Sequence, residues 1–134
     1  MIPELEAGLR LLLAAVLGGV IGFQRERAKK PAGLRTHILI CMGSALFTVV
    51  SVLGFTGSVD PSRIAAGVVT GIGFIGAGVI FRGMRGDKVM GITTAASIWI
   101  TAAIGIAAGV GLYIIASAAA LVTLLVLIIP RVKG

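Results

Sequence analysis

The sequence predicts an all-α fold: a polytopic membrane bundle of five transmembrane helices, N-terminus out and C-terminus in. Three observations carry that prediction. Hydrophobic residues make up 57% of the chain and charged residues 13%, with a mean hydropathy of +1.10, outside the range of ordinary soluble domains. The apolar residues fall into five runs, each near the ~20 residues that a helical crossing of a hydrocarbon core about 30 Å thick requires. Basic residues collect between alternate runs, where the positive-inside bias would place them. With 134 residues there is room for one membrane domain, 1–134, and no attached soluble catalytic domain is expected.

The first run covers about 5–23. Glu4 and Glu6 stand where a signal peptide would carry its positive charge, so a retained span is expected rather than a cleaved leader. The second run, 36–54, carries His37, Cys41, Ser44, Thr48 and Ser51 at intervals of three and four, which puts them on one helical stripe. The stripe is expected to face the bundle interior. The single cysteine lies inside this run, which gives redox chemistry little support.

The third run, 64–81, is eighteen uncharged residues between Arg63 and Arg82, five of them glycine. Its centre, Gly71-Ile72-Gly73-Phe74-Ile75-Gly76, spells the glycine fingerprint of a dinucleotide-binding turn. That reading fails because the turn needs a preceding strand and an acid about 20 residues on, whereas Asp87 comes too soon. Read as a helix, the run aligns Gly67, Gly71 and Gly78 on one line and puts Gly73 and Gly76 on other sides. Close approach from several directions would make this the central helix, and Gly67-x-x-x-Gly71 is a candidate dimer seam or an internal packing seam. The fourth run, 91–108, groups Thr93, Thr94, Ser97 and Thr101 on roughly one side. The fifth, 110–129, is set off by Gly109 to Gly111, which favours a tight helical hairpin over one long broken helix.

Orientation follows from the cations. Arg25, Arg27, Lys29, Lys30, Arg35, Arg82, Arg85, Lys88, Arg131 and Lys133 fall on one side of a five-span chain, while Arg10 and Arg63 fall on the other. That ten-to-two split makes the first side cytoplasmic. It also accounts for the net charge of +7 without invoking nucleic acid as a partner.

No enzyme constellation is visible. His37 is the lone histidine and sits at a span start, where an interfacial or capping role is expected. No Cys or His spacing suits a metal, so the metal assignment stays open and no cofactor is expected. All five acids, Glu4, Glu6, Glu26, Asp60 and Asp87, lie at span ends or in loops, so no midplane carboxylate marks an ion pathway. The hydroxyl stripes, Thr94 and Ser97 among them, have two readings: interhelical hydrogen bonds, or the wall of a polar cavity. Asp60 with Ser62 reads as a cap for the third helix, or as a group that engages Arg63 or an external ligand. Arg25, Arg27 and Arg35 suit anionic headgroups, and Glu26, amid five cations, is expected to pair with one of them, such as Arg35 across the loop.

Three segments then resemble a known family: GFQRERAKKPAGLRTHILICMGSALFT, DPSRIAAGVVTGIGFIGAGVIFR and GITTAASIWITAAIG. They are similar to the membrane domain of the MgtC/SapB family of bacterial inner-membrane proteins, over roughly residues 8–112 and in the family order. The matching positions are Glu26, Arg35, Thr36 and His37; Asp60 and Arg63 through Gly78; and Gly91, Thr93, Thr94, Ala95, Ala96 and Trp99. The resemblance implies a non-enzymatic role linked to magnesium homeostasis and, in pathogens, to persistence inside host cells. In some members it acts by controlling other membrane proteins such as the ATP synthase. The end at Gly134, without an ACT-like domain, and threonine where virulence-type members often have asparagine at 93 point towards the shorter SapB-like branch. The expected function is therefore association with itself, as a homodimer, or with another inner-membrane protein, in magnesium or acid stress. A small ion transporter or channel formed by a dimer is the alternative.

Overall fold

The computed structural model describes residues 3–55 and 57–130. It is an all-helical bundle in the order α1 Pro3–Arg27, α2 Leu34–Leu53, α3 Ser62–Gly83, α4 Ile92–Gly109 and α5 Tyr113–Leu127. The first four are long and apolar enough to cross a membrane. The fifth, with 15 residues, is shorter than the run 110–129 because its ends are set by local backbone chemistry. At its start, Gly111 takes φ +90°, and the Leu112 and Gly111 N–H groups donate back to Ala107 and Ala108, closing α4 with a left-handed glycine cap. At its end, Ile128 and Ile129 turn before Pro130. The connection is a hairpin, and α5 folds back against α4 and α1.

Two ends can be told apart by their contacts. The α1–α2 connection, the α3–α4 connection and the N-termini of α2 and α4 share one end, where Arg25 meets Thr94 and His37 meets Ser97. This end also carries Arg27, Lys29, Lys30, Arg82, Arg85 and Lys88, so the fold gathers the cations as the sequence pattern implies. The expected contributions of Arg131 and Lys133 lie outside the described residues. At the opposite end Arg10 reaches the α4–α5 turn and Ser51 donates to Pro61 O.

The centre of the bundle differs from the expectation. Helix α4 touches all four others, and α2 is held between α1 and α4. Helix α3 is peripheral: it meets only α2 and α4, and only Ile72 and Gly76 are buried along its length. Small residues brought α2 to the centre. Gly18 and Gly22 of α1 lie against one side of it, and Gly105 and Gly109 of α4 against the other. A Cβ on Gly18 would stand 2.5 Å from His37 O, and one on Gly22 2.8 Å from Gly33 O. On the far side, a Cβ on Gly109 would meet Thr48 Cβ at 2.7 Å, and one on Gly105 would overlap Cys41 O. Two Gly-x-x-x-Gly pairs thus let three backbones come into direct contact, as small residues do in membrane bundles. The core filling this contact is correspondingly lean: Ala14, Ile21, Cys41, Ala45, Ile104, Ala108, Ala116 and Ala120.

Candidate functional site

The polar residues converge at the basic end, between α1, α2 and α4. Arg25 follows Gly18 and Gly22 on the same face of α1, at steps of four and three, so it turns inward and is 3% exposed. Its Nη2 donates to Thr94 Oγ1 at 2.7 Å. Among the described residues no carboxylate pairs with this guanidinium, and its buried Nε has no partner, nor has Gln24 Oε1. Next to it, His37 is fully buried. Its Nδ1 lies 2.9 Å from Gly33 O, an atom that can only accept, so Nδ1 carries the proton. Nε2 lies 3.0 Å from Ser97 Oγ, which is also 2.7 Å from Thr94 O. The single hydroxyl proton of Ser97 therefore has two acceptors when the imidazole is neutral. This buried cluster ties the three helices together through hydrogen bonds.

Elsewhere on the stripes Thr48, Thr101 and Ser51 donate to backbone carbonyls, while the Ser44 hydroxyl makes no hydrogen bond among the described residues. Thr48 donates to Ser44 O at 2.8 Å and Thr101 to Ser97 O at 2.6 Å, each within its own helix. His37, Cys41, Ser44, Thr48 and Ser51 are all buried, as are Thr94, Ser97 and Thr101. Thr93 falls outside this group because it sits one residue, about 100° around the helix, from Thr94 and faces outward.

Several expectations about charged residues are corrected. Among the described residues Glu26 pairs with neither Arg35 nor any other cation; its Oε1 accepts the Leu34 N–H at 3.2 Å and so caps the first turn of α2. Arg35 is exposed. His37 is one of the most buried side chains, at the start of α2. Arg25, read as a headgroup ligand, is buried, whereas Arg27 stays outside with its guanidinium over the Phe23 ring. Asp60 is a cap: its Oδ1 accepts the Ser62 hydroxyl at 2.7 Å and the Ser62 N–H at 2.9 Å. Those bonds, the hydroxyl first, hold its carboxyl below the usual aspartate range. Among the described residues the one ion pair is Arg10–Glu6, at 3.2 Å. It belongs to a latch in which Tyr113 donates to Glu6, and Arg10 donates to Tyr113 Oη and Gly109 O. The sequence reading did not find this latch, because its partners lie about a hundred positions apart.

The α3 glycines sit where the chain itself leaves space. Gly67, Gly71, Gly73 and Gly78 have no atom of another residue within 4 Å of a built Cβ, and Gly76 meets only Ala95 Cβ at 3.7 Å. Gly76 packs against α4, whereas Gly67, Gly71, Gly73 and Gly78 are not an internal packing seam. Gly67 and Gly71 line a groove of ≈ 610 Å³ between α3 and α2, with Leu39, Gly43 and Phe47 opposite and Arg63 at one end. On the outer flank, Ala66, Thr70, Gly73 and Ala77 form a second exposed line of small residues. Among the described residues no group of three or more His, Cys, Asp or Glu comes together.

Apolar helices of spanning length, a close-packed interior and a basic end define a multi-pass α-helical membrane protein. The chain belongs to the MgtC family, whose model matches residues 11–133. It is 53% identical over 126 residues to "Putative magnesium transporter YhiD" of Escherichia coli (strain K12), covering 89% of this chain and 58% of that protein. It is 48% identical over 99 residues to Protein MgtC of Brucella abortus (strain 2308), covering 74% of this chain and 40% of that protein. Protein SrpB of Synechococcus elongatus is 46% identical over 115 residues, covering 78% of this chain and 63% of that protein. The chain thus spans about half the length of these curated relatives. No solved structure matches it.

Proposed function

We propose that this chain forms the membrane domain of a bacterial inner-membrane protein of magnesium homeostasis, used in low-magnesium or acid stress. It crosses the bilayer five times, with the basic end in the cytoplasm, and acts without catalysis. Its mode of action is association, as a homodimer or with another inner-membrane protein. One observation carries this reading: most of the buried hydroxyls donate to carbonyls of the chain itself, while the outer flank of α3 exposes a line of small residues, Ala66, Thr70, Gly73 and Ala77. Hydroxyls already bonded to carbonyls make a poor replacement for the hydration shell of magnesium, which loses its waters reluctantly and favours carboxylates. Small exposed residues are what a neighbouring helix requires for close approach.

Single cysteines at Gly73→Cys and Ala77→Cys test the association in native membranes, since Cys41 is buried and its background is low. Crosslinked dimers should form at these positions and not at Leu125→Cys on α5. A monomer at all positions, with Gly73→Leu leaving the particle mass unchanged in mild detergent, refutes self-association. The name of the YhiD relative favours a second reading, a magnesium transporter or channel built from two copies. Flux measurements separate the two.

A further inference from the structure

We propose that the groove between α2 and α3 binds one phospholipid, its tail lying over the glycines and its phosphate on Arg63. The site is separate from helix association on the outer flank of α3 and does not depend on it. The groove is hollowed by glycine on both walls: Cβ atoms built on Gly43, Gly67 and Gly71 meet no other residue within 4 Å. Its volume of ≈ 610 Å³ lies within the range of about 300–1,000 Å³ seen for small-ligand sites. The lining is uncharged except at one end, where Arg63 stands exposed and without an ion-pair partner among the described residues. An occupant complementary to these walls has one anionic end and an otherwise apolar body.

Length identifies the body. From Arg63 to Ile75 the groove follows α3 for twelve residues, about 18 Å at 1.5 Å per residue. Half of a hydrocarbon core about 30 Å thick is about 15 Å, the depth of a single leaflet. A lipid tail beginning at the headgroup level beside Arg63 therefore ends near the midplane, at the level of Ile75, the last α3 residue that lines the groove. Arg63 lies in the first turn of α3, so the positive end of that helix reinforces its attraction for phosphate. The carboxylate of Asp60 lies close by and opposes an anion, but its Oδ1 is held by Ser62 outside the groove. A guanidinium can grip a phosphodiester through two parallel bonds, which a detergent headgroup without phosphate lacks.

Native mass spectrometry of the purified chain, titrated with phosphatidylglycerol or with diacylglycerol of the same tails, tests the site. One phosphatidylglycerol per chain should be retained, and diacylglycerol should bind less tightly. Arg63→Ala should weaken phosphatidylglycerol roughly fivefold, the effect of one basic residue near a membrane surface, and leave diacylglycerol unchanged. Gly71→Leu projects into open space, so the fold survives, but it should weaken both ligands about tenfold by occupying the groove. Gly43→Val on the other wall should act in the same way, and Gly73→Leu on the outer flank should not. Retention that is indifferent to Gly71→Leu and Gly43→Val overturns the proposal. So does a groove substitution that turns a dimer into a monomer while lipid retention stays the same, since the occupant would then be a second copy.

Discussion

Glycines at identical spacing should respond in opposite ways to the same added methyl group. At Gly18 the new Cβ would lie 2.5 Å from His37 O and 2.7 Å from Cys41 Cβ, against the 3.4–4 Å of ordinary contact. Both obstacles belong to the α2 backbone or its first side-chain atom, so relief requires the helices to move apart by about 1 Å. Overpacking of this kind costs about 1–3 kcal/mol. At Gly71 the new Cβ meets nothing within 4 Å. Replacing glycine by alanine also removes a helix penalty of about 1 kcal/mol at both positions, and that gain cancels in the comparison. Gly18→Ala should therefore be less stable than Gly71→Ala by about 1–3 kcal/mol, with Gly71→Ala at or above the parent. Unfolding in mixed micelles of rising SDS fraction, followed by circular dichroism, measures the difference. If the two variants unfold together, or if Gly71→Ala is the weaker, the placement of α2 between two glycine seams is wrong.

Three further outcomes follow from the polar contacts. Thr94→Val removes the acceptor of a buried guanidinium and should cost about 1.5–3 kcal/mol in the same assay, whereas Thr94→Ser keeps the oxygen and should stay near the parent. Glu26→Ala should lose about 1 kcal/mol as a lost helix cap, with Glu26→Gln and Arg35→Ala nearly neutral; equal losses for Glu26→Ala and Arg35→Ala would restore the ion pair. Asp60 has a folded pKa below its unfolded value of ~3.9, so its capping is complete above that value and is lost as pH falls through the folded one. Protection against hydrogen exchange at the first turn of α3, relative to the intrinsic rate at each pH, should fall in that acid range for the parent, and Asp60→Asn, which keeps an amide oxygen, should show no such loss.

Hydropathy, the glycine break at 109–111 and the alternation of basic loops made five helices and their antiparallel order legible, because each is a property of one segment and its solvent. The role of a given glycine was not. Gly18 with Gly22, Gly67 with Gly71 and Gly105 with Gly109 repeat at the same interval, yet two pairs meet a neighbouring backbone and one faces open space. Helix rotation decides between them, and no local pattern records it. The inward turn of Arg25 did leave a trace, since it continues the line of Gly18 and Gly22 while Arg27 does not. Glu26 was misread because five nearby cations made a charge pair the obvious partner, whereas the nearer need was the free N–H groups at the start of α2.

Magnesium entry into liposomes that contain the purified chain, reported by an enclosed magnesium-sensitive dye, tests the central claim most directly. A bundle most of whose buried hydroxyls are committed to its own carbonyls should admit magnesium no faster than protein-free liposomes. Saturable uptake that is abolished by Ser97→Ala or Thr94→Val would contradict the account and place an ion path through the cluster of Arg25, His37, Thr94 and Ser97.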